Sequence, residues 1–273
     1  MSDDDAATAW REWHEHRTAT VSGPYGPLTL TGTHWLSEAG AEHPDGRIPA
    51  VPGRWRATDG GVLLSAAAED GLALDGGPFV GEVVLAADGG GAARSRISAG
   101  DVRLPVIRRE GEWAVRVHDP DAPARRAFVG IEATAYDPAF ALPGRFRPYG
   151  EGRTVQVANA DGRERGLGLG GELSFSYEGS PHTLQVAVDD EDGSLWAVFG
   201  DTTGGRSSYR FRFLRPGIPA ADGSITVDLN RALLPPCAFA DHFVCPFPPP
   251  GNMLPFAVAA GERRLKDALV AGI

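Results

Sequence analysis

The chain has 273 residues, 42% hydrophobic and 23% charged, with 36 glycines and 22 prolines. It is long enough for one large globular domain or two small ones, and it turns too often for a helical protein. A formal net charge of −10 and an isoelectric point near 5.2 argue against nonspecific binding to nucleic acid or anionic membranes. Lys266 is the one lysine, which excludes both a P-loop and a buried Schiff-base lysine.

The start, Met-Ser-Asp-Asp-Asp, lacks the basic and apolar segments of a secretory leader, and no apolar run approaches ~18 residues. A cytoplasmic location is expected, where the two cysteines stay reduced. Residues 3–17 read as a helix: Asp3, Asp4 and Asp5 suit its start, and Trp10, Trp13 and Arg17 recur at helical spacing. The two indoles are expected to dock that helix on a sheet.

From Leu28 onward the pattern becomes short extended runs separated by glycine, proline and aspartate. They are Val62–Ala66, Phe79–Ala86, Glu112–His118, Ala127–Ala135, Thr154–Ala158, Glu172–Tyr177, His182–Asp189, Ser194–Gly200, Ser208–Leu214, Ile225–Leu229 and Phe256–Ala260. Turn signals every 8–12 residues or so point to antiparallel pairing rather than βαβ units. The clearest hairpin joins His182–Asp189 to Ser194–Gly200 through Asp-Glu-Asp-Gly. The stretches 88–91 and 159–171 read as turns, and Arg263–Ala271 as a short closing helix. The expected fold is all-β: a single antiparallel barrel or sandwich over 21–273, with the helix of 1–20 packed on it.

Both cysteines, Cys237 and Cys245, lie in a proline-rich block over 235–255 with His242 between them. Such a loop is stiff and orders at low entropic cost, which suits it to holding side chains in place. The block runs D-L-N-R-A-L-L-P-P-C-A-F, then C-P-F-P-P-P-x-N, then A-x-x-A-G-E. With G-T-H-W-L at 32–36, R-V-H-D-P at 116–120, A-F-V-G-I at 127–131 and F-G-D-T-T-G before S-Y-R-F-R-F-L at 199–214, it resembles the bacterial and archaeal family known as domain of unknown function 1684. The resemblance runs in order from Trp10 to Glu262. Such proteins usually read D-F-N at Asp228-Leu229-Asn230 and often T-Y-G at Ser208-Tyr209-Arg210. The resemblance implies a fold and a site near the block; the family has no settled activity.

Gly166–Gly171 matches G-x-G-x-x-G, but E-L-S-F-S-Y follows as a strand rather than a helix, so no dinucleotide site is expected. Asp201-Thr-Thr-Gly204 is one imperfect copy of a motif that aspartic proteases need twice, and it reads as a turn. Cys237, His242 and Cys245 offer three zinc ligands where closed sites use four, and Asp241 and Asp228 are poor partners for thiolates. The preferred reading packs both cysteines as small buried apolar groups. No metal and no cofactor are expected.

Two roles remain for the polar residues. In a hydrolase-like small-molecule enzyme, Asp201 or Asp228 would be the general base and Arg212 would orient an anion. In a non-catalytic binding module or a structural scaffold, the same block holds a metabolite or closes a sheet. Arg116, His118, Tyr209, Arg212, Asn230, His242 and Asn252 are the ligand-binding candidates. Asp228 and Asn230, two apart at a strand end, are expected to pair with Arg116, Arg212 or loop amides beside the largest polar pocket. The expected partner is a small molecule, with no nucleic acid and no membrane; the oligomeric state is open.

Overall fold

The computed structural model describes residues 2–89 and 91–267. By packing, the chain divides into two compact units: Thr20–Phe128, and Met1–Ala19 together with Val129–Ile273. The sequence shows no linker at either boundary, which is why it reads as one domain. Helix α1 (Asp3–Ser22) contains the first boundary, and the short helix α3 (Pro123–Ala127) precedes the second.

The unit Thr20–Phe128 also contains α2 (Leu36–Glu42) and the strands β1 (Leu30–Trp35), β2 (Arg47–Ile48), β3 (Val51–Thr58), β4 (Gly61–Ala66), β5 (Leu72–Leu74) and β6 (Gly77–Pro78). They are followed by β7 (Gly81–Leu85), β8 (Ile97–Ala99), β9 (Val102–Arg103), β10 (Val106–Arg109) and β11 (Glu112–His118). One antiparallel sheet runs β1-β11-β9-β8-β5-β6 with β10 added to β11, and a second runs β2-β3-β4-β7. They share one core: Val51, Trp55, Val62 and Leu64 from the second sheet pack with Leu72, Ile97, Trp113 and Val115 of the first. The alternation in β11 expresses itself as expected, with Trp113 and Val115 buried and Val117 packed on the same cluster.

In the other unit, the strands are β12 (Ile131–Ala133), β13 (Ala141–Ala158), β14 (Glu164–Tyr177), β15 (Ser180–Val188), β16 (Leu195–Phe199), β17 (Arg212–Gly217), β18 (Ser224–Asp228) and β19 (Glu262–Leu265). A six-stranded antiparallel sheet runs β17-β16-β15-β14-β13-β18, and its edge strands β17 and β18 come back beside each other. The result is a nearly closed barrel filled by Leu173, Phe175, Leu184, Val186, Phe199, Leu214 and Val227. Helix α1 docks by Trp10, whose indole Nε1 donates to the Asn230 carbonyl at 2.7 Å, while Arg231 stacks on Trp13.

Several segments differ from the sequence reading, each for a physical reason. β13 and β14 are much longer than Thr154–Ala158 and Glu172–Tyr177; the added stretches are rich in glycine and proline, residues that signal turns in a sequence. Residues 166–171, half of an expected turn, lie within β14. A Cβ at Gly171 would stand 2.6 Å from the Arg147 carbonyl and strike the Phe146 ring, so glycine permits the close approach of β13. In place of one strand over Ala127–Ala135, α3 ends at Ala127 and β12 begins at Ile131.

The closing helix expected over Arg263–Ala271 is replaced where it is described. Glu262–Leu265 forms β19, because β12 supplies an antiparallel partner, and residues 268–271 lie outside the described residues. Phe256–Ala260 has no strand partner, and the strand expected from Ser208 begins only at Arg212. No helix among the described residues is long and apolar enough to cross a membrane.

Gly171→Ala is expected to destabilise the protein by about 1–3 kcal/mol through overpacking. Gly168→Ala, on the same strand with open space at its Cβ, should change stability far less. Urea unfolding of the two variants checks the contrast.

Candidate functional site

Seven prolines lie between residues 235 and 255. Each removes a backbone donor, so this segment cannot join a sheet as an ordinary strand, yet its carbonyls and remaining amides still need partners once buried. Buried they are: Cys237, Phe239, Cys245 and Leu254 all sit inside. Backbone groups elsewhere supply several of them: the Phe247 amide donates to the Ala158 carbonyl, the Leu254 amide to the Gly200 carbonyl and the Ala160 amide to the Cys245 carbonyl. Most of the candidates singled out from sequence are polar side chains that bond to backbone around the block.

Asn252 shows the device most plainly. β15 and β16 pair at Ala187↔Trp196 and Val188↔Leu195, and Gln185 and Val198, two positions further along that register, lie beyond the pairing. The Asn252 amide fills the gap: its oxygen accepts from the Gln185 amide at 2.8 Å. Its Nδ2 donates to the carbonyls of Gln185 at 2.9 Å and Val198 at 2.8 Å. Asn230, equally buried, binds both backbone groups of Asp137: Oδ1 accepts from its amide at 3.0 Å and Nδ2 donates to its carbonyl at 2.9 Å.

Arg212 and Asp201 form the centre. Their side chains are 1% and 2% exposed, and Nη2 of Arg212 stands 2.6 Å from Oδ2 of Asp201. The guanidinium also donates to the carbonyls of Val258, Ala260 and Glu262, and it stacks on Phe199. Asp201 accepts in addition from the Val258 amide, the Thr203 amide and the Thr203 hydroxyl. Residues 258–262 thus find in one arginine the row of donors a neighbouring strand would have offered. Burial lowers the Arg212 pKa from its ordinary value and Asp201 opposes this; a guanidinium stays charged under either influence.

A second buried acid, Glu262, accepts from the Leu234 amide at 2.7 Å and from Arg17 Nε at 3.2 Å. Burial pushes its carboxyl above the usual range, while Arg17 and the Leu234 amide pull the other way. The motif A-G-E contains this residue, but sequence reading did not single it out as a site, because its partner lies 245 positions away on α1.

Asp228 is half-buried at the start of a 3₁₀ turn over Leu229–Arg231. Its Oδ1 accepts from the amide of Asn230, and Oδ2 from Arg231 Nε at 3.2 Å. Its partners are therefore a loop amide and its neighbour Arg231, not Arg116 or Arg212. β17 starts at Arg212: Arg212 points inside, and Arg210, just before the strand, lies exposed over Phe247, 4.4 Å from the ring centroid.

Tyr209 is half-buried, its hydroxyl 3.3 Å from the Cys237 carbonyl and 3.7 Å from Cys237 Sγ. Burial and the Cys237 hydrogen bond push its pKa up to about 12. Both cysteines are free and buried, and the Cys237 amide donates to Cys245 Sγ at 3.3 Å. His242 lies on the exposed part of the block. Among the described residues, no group of three or more His, Cys, Asp or Glu side chains is placed to hold a metal.

Arg116 and His118 belong to the unit Thr20–Phe128. His118 is buried, with Nδ1 2.9 Å from the Thr29 hydroxyl. That hydroxyl already donates to the Gly26 carbonyl, so the imidazole Nδ1 carries the proton and donates to it. Burial, with a smaller contribution from Arg116, pushes the His118 pKa down to about 4.

The same unit carries an open cavity of about 830 Å³. Its lining includes His43, Arg47, Arg54, Ser65, Glu69 and Glu82, none of which stood out in the sequence. The strand registers Arg47↔Arg54, Arg54↔Ser65 and Ser65↔Glu82 place four of them in one row across β2-β3-β4-β7. The Ser65 hydroxyl donates to Glu82 at 2.8 Å, and Arg47 pairs with the exposed Asp45. The floor is tied by Asp70, which accepts from the amides of Gly53 and Ala67.

A family model described as protein of unknown function (DUF1684) matches residues 126–263. The chain belongs to that family. The DUF1684 span takes in the whole proline block and the side chains that serve it, except Arg17. It leaves out G-T-H-W-L, Arg116 and His118. An uncharacterized protein of Haloarcula marismortui, solved by solution NMR, is 33% identical, with 52% of this chain and 80% of that one covered and a TM-score of 0.43. No curated protein matches the chain.

His118 yields a pH prediction. Its folded pKa is depressed, so its contribution to stability is complete above the unfolded value near 6.5 and is lost as pH falls through about 4. The full effect is about 3 kcal/mol. The stability difference between the protein and His118→Asn, from urea unfolding, should therefore shrink between pH 7 and pH 4; a constant difference would contradict the assignment.

Proposed function

We propose that this protein is a non-catalytic small-molecule binding module, in which the DUF1684 signature block is structural and the ligand occupies the cavity of the unit Thr20–Phe128. The observation that carries this reading is the polar row Arg47, Arg54, Ser65 and Glu82 along that cavity. Arg47 and Arg54 stand directly opposite each other on neighbouring strands, a concentration of positive charge in which Asp45 balances Arg47 and an anionic ligand would add to that balance. At the far end of the row stands a carboxylate. With strands about 4.8 Å apart, the row spans roughly 14 Å, the reach of a small organic molecule with an anionic end and a donor or cationic end.

The enzyme reading loses its residues to structure. A general base must reach a substrate proton and an anion-orienting arginine must reach an anion. Asp201 and Arg212 are 1–2% exposed and bonded to each other and to backbone, and Asn230 and Asn252 are fully buried in backbone bonds. Asp228 keeps a part-exposed oxygen, already shared with Arg231. These groups are positioning residues in this account, as are Tyr209 and His118. The reading carries with it a cytoplasmic setting and a partner that is neither nucleic acid nor membrane.

The test uses isothermal titration with small dicarboxylates, amino acids and phosphorylated metabolites. At least one should bind without turnover, and Arg54→Glu, at an exposed position where stability should change by no more than ~0.5 kcal/mol, should abolish binding. Turnover that Asp201→Asn removes, with folding intact, would contradict the reading, as would binding indifferent to Arg54→Glu.

A further inference from the structure

Independently of the cavity, the proline block brings its two thiols together. Cys237 lies in a 3₁₀ turn (Pro236–Ala238), and its amide donates to Cys245 Sγ at 3.3 Å. The Tyr209 hydroxyl approaches Cys237 Sγ at 3.7 Å. Tyr209 is also within reach of the exposed Arg210, whose guanidinium stacks on Tyr209, Phe211 and Phe247. Two structural cysteines filling an apolar gap need neither contact.

We propose that Cys237 and Cys245 are an oxidant-reactive thiol pair that closes a disulfide on reaction with hydrogen peroxide or a small organic hydroperoxide. The donors around Cys237 assign the roles. The Cys245 thiol, the Tyr209 hydroxyl and the Arg210 charge all favour the thiolate of Cys237, holding its pKa near 7 against burial. Tyr209, with its own pKa pushed up to about 12, stays protonated and remains a donor throughout. The attacking sulfur is therefore Cys237, and Cys245 resolves.

The Cys237 thiolate attacks one peroxide oxygen; the S–O bond forms, the O–O bond breaks and hydroxide leaves. The Cys245 sulfur then attacks Cys237 sulfur, forming S–S and breaking S–O. The second hydroxide takes the Cys245 proton. Two thiols and one hydrogen peroxide give one disulfide and two waters, with two electrons passing from sulfur to peroxide. A disulfide needs Sγ atoms ~2.05 Å apart, and the Cys237 amide at 3.3 Å from Cys245 Sγ already puts the two side chains in one neighbourhood. In a reducing compartment such bonds are transient and belong to redox sensing or catalysis. The cover over the pair is thin: Tyr209, Phe243 and Phe247 are only partly buried.

The experiment treats the full-length protein with hydrogen peroxide and follows free thiols and intact mass. Both thiols should disappear together, the product should be lighter by two hydrogens, and dithiothreitol should restore the starting mass. The rate should rise with pH around a midpoint near 7 rather than 9. Cys245→Ser should stop with one oxygen on Cys237, trapped by dimedone, and Tyr209→Phe should slow thiol loss about fivefold with an unchanged circular dichroism spectrum. Thiols that persist in the folded protein while the urea-unfolded chain oxidises would overturn the proposal. So would dimedone labelling of Cys245 in Cys237→Ser at the rate seen for Cys237, or oxidation to sulfinic acid with no disulfide. None of these readouts depends on a ligand in the cavity.

Discussion

The unit that contains the barrel depends on one constraint: its closing segment is buried but cannot pair as a strand. Prolines remove donors along 235–255, and Phe256–Ala260 lies in no strand among the described residues. Unpaired buried backbone groups cost about 1–3 kcal/mol each, so the segment is tolerable only if other groups supply the partners; within the block Ala158 and Gly200 do so through their backbone. For the chain that follows, Arg212 does so, offering its fixed fork of donors to the carbonyls of Val258, Ala260 and Glu262. Its charge would be costly in the interior alone, and Asp201 is there to balance it.

Asn252, Asn230 and Glu262 repeat the same solution with one amide or carboxylate each. Asn252 bridges two strands beyond the end of their pairing, Asn230 pins the chain at Asp137, and Glu262 holds Leu234 and Arg17. Seen this way, the spacing of polar residues in the DUF1684 signature records backbone geometry. The motif D-x-N reads as a capped turn, with Asp228 receiving the Asn230 amide, and A-G-E as a tight turn placing a carboxylate inward. A glycine is needed in it: Gly261 has a φ of +75° and lies against the Ala232 and Leu229 carbonyls. The same inward bonding occupies Asp201, Arg212, Asn230 and Asn252, and the proposed binding function rests instead on the polar row of Arg47, Arg54, Ser65 and Glu82 in the other unit.

Much of the architecture was legible because it rests on local patterns. Trp113, Val115 and Val117 alternate in the sequence and share a core face. The hairpin through Asp189–Ser194 carries its own turn signal, and the acidic start with Trp10 and Trp13 marks α1. Illegible parts were those set by non-local partners. Gly166–Gly171 looks like a loop until the Phe146 ring on β13 is known to need the space. Glu262–Leu265 has helix-forming residues and became a strand because Ile131–Ala133 lay open beside it. The proline block was recognisable as the place where polar groups converge, but residue type alone could not say whether they face a ligand or the backbone. The row from Arg47 to Glu82 left no trace at all, since it exists only through strand register.

The central claim is that the buried Arg212–Asp201 pair holds the chain over 258–262. A double-mutant cycle on unfolding free energy tests it most directly. Arg212→Met and Asp201→Ala should each cost about 3–5 kcal/mol by stranding a buried charge, and the double variant should cost clearly less than their sum, giving a coupling of about 1–3 kcal/mol. Single variants that unfold like the parent protein, or costs that simply add, would contradict it.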